Sequence, residues 1–265
     1  EWLAKARSIG STDRPASPGA PQRVPTNSRE PIVFEGNAPA NVRDNLVLRS
    51  LLENPQPTAT PRAFLGAPNS IKGPTEAVFQ RQSGNHLLIV GQREEAALSL
   101  MVISLISLAA QHAKDGAKFF VFDCSPPDSA EGRRLQRVVG LLPQAAKLVS
   151  VAESTDVMVA LEAEMNRRLE GPGETAATNF LLIHGLPQNK KLRFDEEASF
   201  SLDPAAGAGN PGLILNKLIT EGASLGFHVI ATCDTYNNVM RMLSRKALSE
   251  FEMRVVFQMS ANDSA

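Results

Sequence analysis

The amino-acid sequence predicts an α/β protein in which a mostly parallel central sheet lies between two layers of helices, in a three-layer αβα arrangement. From Asn85 onward, apolar runs of strand length alternate with longer stretches of helix length. The strand-length runs are continuously apolar rather than alternating, which is typical of strands buried on both faces of a parallel sheet. The chain has 265 residues, 43% of them hydrophobic, which is enough for one sizeable core with a small appendage.

The N-terminal part of the chain has a different composition from the rest. Residues 1–30 are predicted to be a largely flexible linker, because proline, serine and charged residues dominate them without an apolar period. Residues 31–82 are predicted to form a small strand and helix segment that packs on the main domain. Within it we expect a short strand over 31–36, a helix over 41–54, and two or three short strands over 63–79.

Residues 83–265 are predicted to form the αβα core. The predicted strands cover 86–91, 118–124, 147–151, 179–185, 227–234 and 254–259, and the predicted helices cover 92–114, 128–140, 154–170, 210–224 and 235–248. The three most apolar strands, 86–91, 179–185 and 227–234, are expected to be adjacent, parallel and central. The first helix is apolar on nearly every side, so we expect it to lie deep between the sheet and other elements.

Composition excludes several classes of function. The net charge of −1 gives no global attraction to nucleic acid or to an anionic membrane, and no apolar run is long enough to span a bilayer. Cys124 and Cys233 belong to no metal-binding pair and are interpreted as buried thiols of a cytoplasmic protein. Three short basic clusters, at 133–137, 190–193 and 241–246, are interpreted as solvated faces rather than as DNA contacts.

A buried strand that runs into Gly91 and is followed by a helix has the order of a phosphate-binding loop. A working loop has the pattern G-x-x-x-x-G-K-[ST], in which the lysine reaches the β- and γ-phosphates and the hydroxyl binds Mg²⁺. Counted from Gly91, this chain has Ala96, Ala97 and Leu98 in place of the second glycine, the lysine and the hydroxyl. The glycine that opens the motif is therefore present, whereas its second glycine, its lysine and its hydroxyl are absent.

The phrases "VFEGN", "GPTEAVFQRQSGNHLLIVGQ", "LLIHG" and "RVVFQMSANDS" resemble those of the FtsK/SpoIIIE-type motor ATPases, above all their last, degenerate ATPase-like module. The resemblance covers about residue 31 to the end. It implies a RecA-like fold of the P-loop superfamily, with ATP and Mg²⁺ as cofactors in the wider family. It also implies a homo-oligomeric ring, such as a hexamer, with DNA or protein as the translocated substrate. The chain begins without methionine, so we expect it to be a piece of a longer polypeptide whose other modules are its partners.

Departures from the family pattern define the candidate site. Active modules end the fourth strand in Asp-Glu or Asp-Asp, the Walker B position, whereas this chain has His184 and Gly185 there. Because phosphoryl transfer depends on charge neutralisation, hydrolysis should be negligible and no nucleotide cofactor is expected. Carboxylates in the first turn of the helix would supply the anion that a phosphate normally brings. The degenerate phosphate-loop residues are Gly91, Gln92, Arg93, Glu94 and Glu95.

Several alternatives stay open at this point. Gln92 and Arg93 could still meet an anion, so the site could bind nucleotide weakly without turnover, or the fold could have no nucleotide history. Asp123, Cys124 and Ser125 could form a nucleophile group, although a strand-end turn without a histidine partner is favoured. Two roles are open for the residues after the fifth strand: Asp234 and Asn238 are sensor-like, or they belong to a helix N-cap with Thr235. Arg241 and Arg245, one helical turn apart, form either an arginine finger or a solvated face.

The sequence thus predicts a catalytically inactive ATPase-like module of an FtsK/SpoIIIE-type translocase, with an assembly, regulatory or substrate-handling role. One alternative is a motor domain that binds and hydrolyses ATP at a nonstandard site completed by a neighbouring chain. Another is a partner-binding α/β adaptor that acts outside any motor.

Overall fold

The computed structural model of the protein describes residues 42–66, 73–171, 176–196 and 209–259. The predicted linker over 1–30, the predicted strand over 31–36 and the last six residues of the chain lie outside these ranges. The domain boundaries at 30 and 82 therefore stay predictions.

A six-stranded, all-parallel sheet forms the centre of the fold, with the strand order β5-β4-β6-β7-β3-β8. The described strands are β1 (Arg62–Gly66), β2 (Thr75–Val78), β3 (Leu87–Val90), β4 (Ala117–Asp123), β5 (Ala145–Ser150), β6 (Thr178–His184), β7 (Phe227–Cys233) and β8 (Met253–Val256). The described α-helices are α1 (Leu46–Glu53), α2 (Glu94–Ala110), α3 (Ala130–Val139), α4 (Ser154–Glu170), α5 (Pro211–Glu221), α6 (Tyr236–Met242) and α7 (Arg245–Ser249). Short 3₁₀ helices cover Val42–Asp44, Leu186–Gln188, Lys190–Leu192 and Ala223–Leu225.

The three most apolar strands are adjacent, parallel and central, as the sequence predicts. β7 pairs with β6 on one side and with β3 on the other, and every residue of β3 and β7 is buried. The predicted α/β class with a mostly parallel sheet is therefore confirmed. Strands covered on both faces can be continuously apolar, which explains why their sequences lack a polar alternation.

Helices cover both faces of the sheet and make two cores. On one face, Leu87 and Ile89 of β3 pack with Leu98, Met101 and other residues of α2. On the opposite face, Leu88 and other residues pack with helices α4 to α7. Because side chains of a strand alternate between faces, one short strand contributes to both cores.

Helix α2 lies between the sheet and the N-terminal elements, which confirms its predicted deep position. β1 and β2 form an antiparallel pair, and both β1 and α1 contact α2. Backbone groups of β1 are held by α2 side chains: Gln111, directly after the helix, exchanges hydrogen bonds with the Arg62 backbone, and Phe64 N donates to Ser107 Oγ at 3.4 Å. Helix α2 is apolar on nearly every side because the sheet covers one of its faces and the N-terminal elements cover the other.

The predicted helix over 235–248 is wrong in one respect, because the structure divides it into α6 and α7. Leu243 has an extended backbone, and the Ser244 side chain accepts a hydrogen bond from Ala247 N and so caps α7. Ser244 N in turn donates to Asn216 Oδ1 of α5 at 2.9 Å. The Ser244 side chain thus caps α7 while its backbone N–H is bound to Asn216, so α6 ends before Ser244 and α7 starts after it.

Candidate functional site

Gly91 makes a tight turn directly after β3, as the motif requires, but the turn is closed from one side. Its N–H donates to the Cys233 carbonyl oxygen of β7 at 2.9 Å, and its φ of +149° is a conformation that favours glycine. A Cβ at this position would lie 2.5 Å from Phe257 Cβ. Phe257, whose N–H donates to Val90 O at 2.8 Å, therefore occupies the space beside the turn.

Helix α2 begins at Glu94, so only Gln92 and Arg93 separate Gly91 from the helix. Glu94 and Glu95 lie in the first helical turn, as predicted, and both side chains are exposed. Ala97 and Leu98, at the positions of the motif lysine and hydroxyl, are 4% and 0% exposed and pack in the core beneath the helix. In a phosphate-binding loop, backbone N–H groups surround the phosphates. Here the corresponding residues from Glu94 onward are already part of a helix.

His184 ends β6 and is nearly fully buried. Its Nδ1 lies 3.3 Å from the Thr232 hydroxyl of β7, and that hydroxyl also accepts the N–H of Gly185 at 2.8 Å. Gly185 has a φ of +71° and starts the following 3₁₀ turn. The position that would hold the magnesium carboxylate is therefore taken by an imidazole fixed to the neighbouring strand.

The first turn of α2 and the end of β6 face each other. His184 Nε2 lies 3.8 Å from Glu94 Oε1 and, within the described residues, has no hydrogen-bond partner. Burial lowers the pKa of His184, while the negative charges of Glu94, Asp123 and Glu131 act against this shift. The imidazole is therefore neutral at pH 7, beside three carboxylates contributed by α2, β4 and α3.

Sequence reasoning found no histidine near Asp123, Cys124 and Ser125, but the structure places one there. Asp123 and His184 are opposite each other in the register of β4 and β6. Burial, with the nearby Asp123 charge, raises the pKa of the Cys124 thiol to about 12, and Asp123 Oδ1 accepts the N–H of Ser125 at 3.0 Å. A protonated thiol is a poor nucleophile, which favours a strand-end turn over a nucleophile group here. The signal that could have predicted this contact is that Asp123 and His184 each end a strand, and that these two strands are neighbours in the sheet.

Asp234, Thr235 and Asn238 cap α6. The Thr235 hydroxyl accepts Asn238 N at 3.2 Å, and both carboxylate oxygens of Asp234 accept Asn238 Nδ2 at 2.9 and 3.0 Å. These bonds hold Asp234 and Asn238 to each other. Arg241 and Arg245, predicted to be one turn apart on one helix, lie instead on α6 and α7, on either side of the break at Ser244.

The side chains do not fit a magnesium nucleotide. In the ranges that the structure describes, no three histidine, cysteine, aspartate or glutamate side chains are placed to hold a metal ion. The loop offers Arg93 as its one cation, while Glu94 and Glu95 place negative charge where phosphates would bind. Negative charge at this position disfavours the binding of a polyanion.

Comparison with solved structures gives the same fold in P-loop ATPases of the FtsK/SpoIIIE type. Thermomonospora curvata EccC (ATPases 2 and 3), in complex with a signal sequence peptide, is 12% identical over 75% of this chain and 36% of its own, with a TM-score of 0.51. EssC (ATPases 2 and 3) from Geobacillus thermodenitrificans is 11% identical over 78% and 38%, with a TM-score of 0.51. The pCW3 conjugation coupling protein TcpA, with ATPγS, is 15% identical over 77% and 56%, with a TM-score of 0.52.

These likenesses establish the RecA-like αβα fold, which confirms the fold implied by the sequence resemblance. The chain spans between about a third and just over half of the length of these solved chains. No protein-family model matches the sequence, and a search of curated proteins finds no match. Among the described helices, none combines the length and the hydropathy needed to cross a membrane.

Proposed function

We propose that this chain is a catalytically inactive ATPase-like module of an FtsK/SpoIIIE-type translocase, with a role in assembly, regulation or substrate handling. The observation that carries the proposal is the start of α2 at Glu94, three residues after Gly91, with the Glu94 carboxylate directed to His184. Both halves of a nucleotide site are thereby filled by the chain's own side chains.

The absence of turnover follows from charge. Phosphoryl transfer requires cations around the γ-phosphate and a positioned water molecule. Here the lysine position is the buried Ala97, and the magnesium-ligand position is the neutral imidazole of His184. Two exposed glutamates at the helix start add repulsion toward a triphosphate, so we also expect nucleotide affinity to be low.

The proposed partners are other modules of the same polypeptide and further copies of the chain in a ring. EccC and EssC, which share the fold, each carry several ATPase modules in one chain, since their solved fragments hold ATPases 2 and 3. A module that keeps the αβα scaffold without turnover could serve such an assembly as a fixed contact surface. We propose a cytoplasmic location and either DNA or protein as the substrate of the whole translocase.

The test is phosphate release from ATP by the purified chain in the presence of Mg²⁺. We expect a rate equal to the protein-free background at every protein concentration. Turnover that rises steeply with protein concentration would favour the alternative of a site completed by a neighbouring chain. Turnover that is lost on substitution of Gly91 or Arg93 would instead show that the site is a working one, and it would refute the proposal.

Thermal unfolding with and without MgATP separates binding from turnover. An inactive module that does not bind nucleotide keeps the same melting temperature in MgATP and in the same concentration of MgCl₂. A rise in melting temperature without phosphate release would mean that the site binds nucleotide without turning it over. Active modules elsewhere in the same polypeptide would argue against an adaptor that acts outside a motor.

A further inference from the structure

Two basic clusters that are separate in the sequence lie side by side in the structure. Phe194 N donates to Met242 O at 2.9 Å, and Arg193 and Arg241 are the residues directly before this donor and this acceptor. Their Cα atoms are therefore no more than about 11 Å apart. The 3₁₀ helix Lys190–Leu192 and α7 also contact the same helix, α5.

Together, the two clusters contain six positively charged side chains that have no acidic partner among the described residues. All six side chains are exposed, and in the part of the chain that the structure describes none of them has a carboxylate within 4 Å. By contrast, Arg62, Lys147, Arg167, Arg168 and Lys217 each have an acidic partner. The six residues without an acidic partner in the described ranges are Lys190, Lys191, Arg193, Arg241, Arg245 and Lys246, of which Lys191 donates from Nζ to Ala152 O at 3.1 Å.

Helix α6 adds exposed apolar side chains to this region. Tyr236 and Met240 are one turn apart and remain 41% and 39% exposed, whereas Val239 and Met242 of the same helix are buried against the core. Tyr236 is the single tyrosine of the chain. The helix is thus anchored on one side and presents an aromatic and a thioether side chain beside Arg241 on the other.

We propose that the six cations together with Tyr236 and Met240, here called the α6 surface, bind an acidic protein segment. Tyrosine, methionine and arginine are enriched in the centres of protein–protein interfaces. The segment would place apolar side chains on Tyr236 and Met240, and its carboxylates would meet the surrounding arginines and lysines.

A protein partner fits this surface better than a nucleic acid. The chain as a whole has a net charge of −1, so it exerts no long-range attraction on a phosphate backbone. The surface also has an apolar part at Tyr236 and Met240, which an amphipathic protein segment can cover and a phosphate backbone cannot. The α6 surface includes none of the residues of the Gly91 turn or of the end of β6, although Arg241 and Arg245 belong to it and are also the candidate arginine finger.

The test uses the chain with three fluorescent probes. The first is an amphipathic peptide with leucines one helical turn apart, flanked by glutamates; the second is the same peptide with glutamine for every glutamate; the third is a short DNA duplex. We expect the acidic peptide to bind at least about tenfold more tightly than the other two. The binding should weaken as salt is added.

Paired variants locate the binding. Arg193→Glu with Arg241→Glu should weaken the acidic peptide by at least about tenfold, and Tyr236→Ala with Met240→Ala by several-fold without any change in charge. The matched control is Arg134→Glu with Arg137→Glu on α3, where two exposed arginines on the opposite face of the sheet undergo the same charge reversal. This control should stay within about twofold of the unaltered chain.

Three outcomes would overturn the proposal. The DNA duplex could bind more tightly than the peptide and be insensitive to the Tyr236 and Met240 changes, which would indicate a nucleic-acid surface. The α3 control could lose as much affinity as the Arg193 and Arg241 variant, which would indicate unspecific charge attraction. All three probes could fail to bind at low salt, which would indicate a merely solvated face.

Discussion

His184 Nε2 and Glu94 Oε1 lie 3.8 Å apart, and this contact joins the end of β6 to the start of α2. The distance is too long for a hydrogen bond but short enough for a strong charge interaction once the imidazole is protonated. His184 is nearly fully buried, whereas the Glu94 side chain is 65% exposed. The pair therefore reports directly on the electrostatics of the candidate site.

The first prediction concerns this pair. Glu94→Gln removes a negative charge that opposes the burial effect, so the pKa of His184 should fall further below its ordinary value. An NMR titration of the His184 ring protons measures the shift, with the signal assigned by its loss in His184→Gln. Glu95→Gln is the matched control, because Glu95 is not among the charges that act on His184. Equal pKa values in all three proteins would contradict the interaction.

The second prediction concerns both glutamates of the first turn. The combined change Glu94→Gln and Glu95→Gln should lower the free energy of unfolding by about 0.5–2 kcal/mol, because α2 loses the anions near its positive end. Stabilisation by added sulfate should increase, because the first-turn N–H groups become more accessible to an anion. Urea unfolding with and without sulfate measures both effects.

Glu170→Gln with Glu221→Gln is the control for charge alone. These exposed glutamates end α4 and α5, where a negative charge is unfavourable, so their removal should leave the free energy of unfolding unchanged or raise it slightly. A loss of stability in this control equal to that in the α2 variant would show that helix position is irrelevant.

A third prediction concerns acid sensitivity at the amino ends of the central strands β3 and β7. Burial lowers the pKa of His86 to about 4 and that of His228 to about 3. Protonation of Nδ1 of His86 is also opposed by the hydrogen bond that this nitrogen accepts from Val229 N at 2.9 Å, whereas the contact of Nε2 with Ile219 O at 2.9 Å acts against the effect of burial. The unfolded chain binds protons below about pH 6.5 that the folded chain does not bind.

The contribution of these histidines to the free energy of unfolding is therefore fully present above pH 6.5, and it is lost as the pH falls toward the folded-state pKa values. Between pH 7 and pH 5 the free energy of unfolding should fall by about 3–4 kcal/mol for the pair. Urea unfolding at constant ionic strength measures the slope, and His86→Gln should remove about one proton from it. A free energy of unfolding that is constant over this range would rule out the buried neutral state.

The fourth prediction compares two neighbouring arginines on α4. Arg168, almost fully buried, donates to Glu164, to Leu225 O and to Ala177 O at 2.8 Å each, and its guanidinium lies 4.6 Å from the Phe227 ring centre. Arg168→Met should cost about 3–5 kcal/mol, because buried carbonyls lose their donors. Arg167→Met should cost about 0–1 kcal/mol, since Arg167 binds the same Glu164 at the surface. Thermal and urea unfolding of both variants measure the difference; equal costs would contradict the bridging role.

Sequence patterns predict the central sheet well because the central strands are continuously apolar, and burial on two faces leaves few other arrangements. The same patterns predict the acidic start of α2 and the loss of the lysine. They fail at Ser244, because the donor–acceptor contact with Asn216 that divides α6 from α7 joins residues 28 positions apart. They also miss the pairing of Asp123 with His184 and the closeness of Arg193 to Arg241, since strand order and helix docking, rather than local composition, bring these residues together.

The early start of α2 also bears on whether a phosphate-binding motif could be introduced at this place. Ala96→Gly, Ala97→Lys and Leu98→Thr together would restore the letters of the motif, yet Ala97 and Leu98 are buried in the core beneath the helix. The new ammonium would be buried among apolar side chains, which costs several kcal/mol before any phosphate could be reached. The first turn of α2 would have to unwind into a loop first, at a cost in helix hydrogen bonds. Single substitutions toward the motif thus lead through less stable proteins, which disfavours reaching it one substitution at a time.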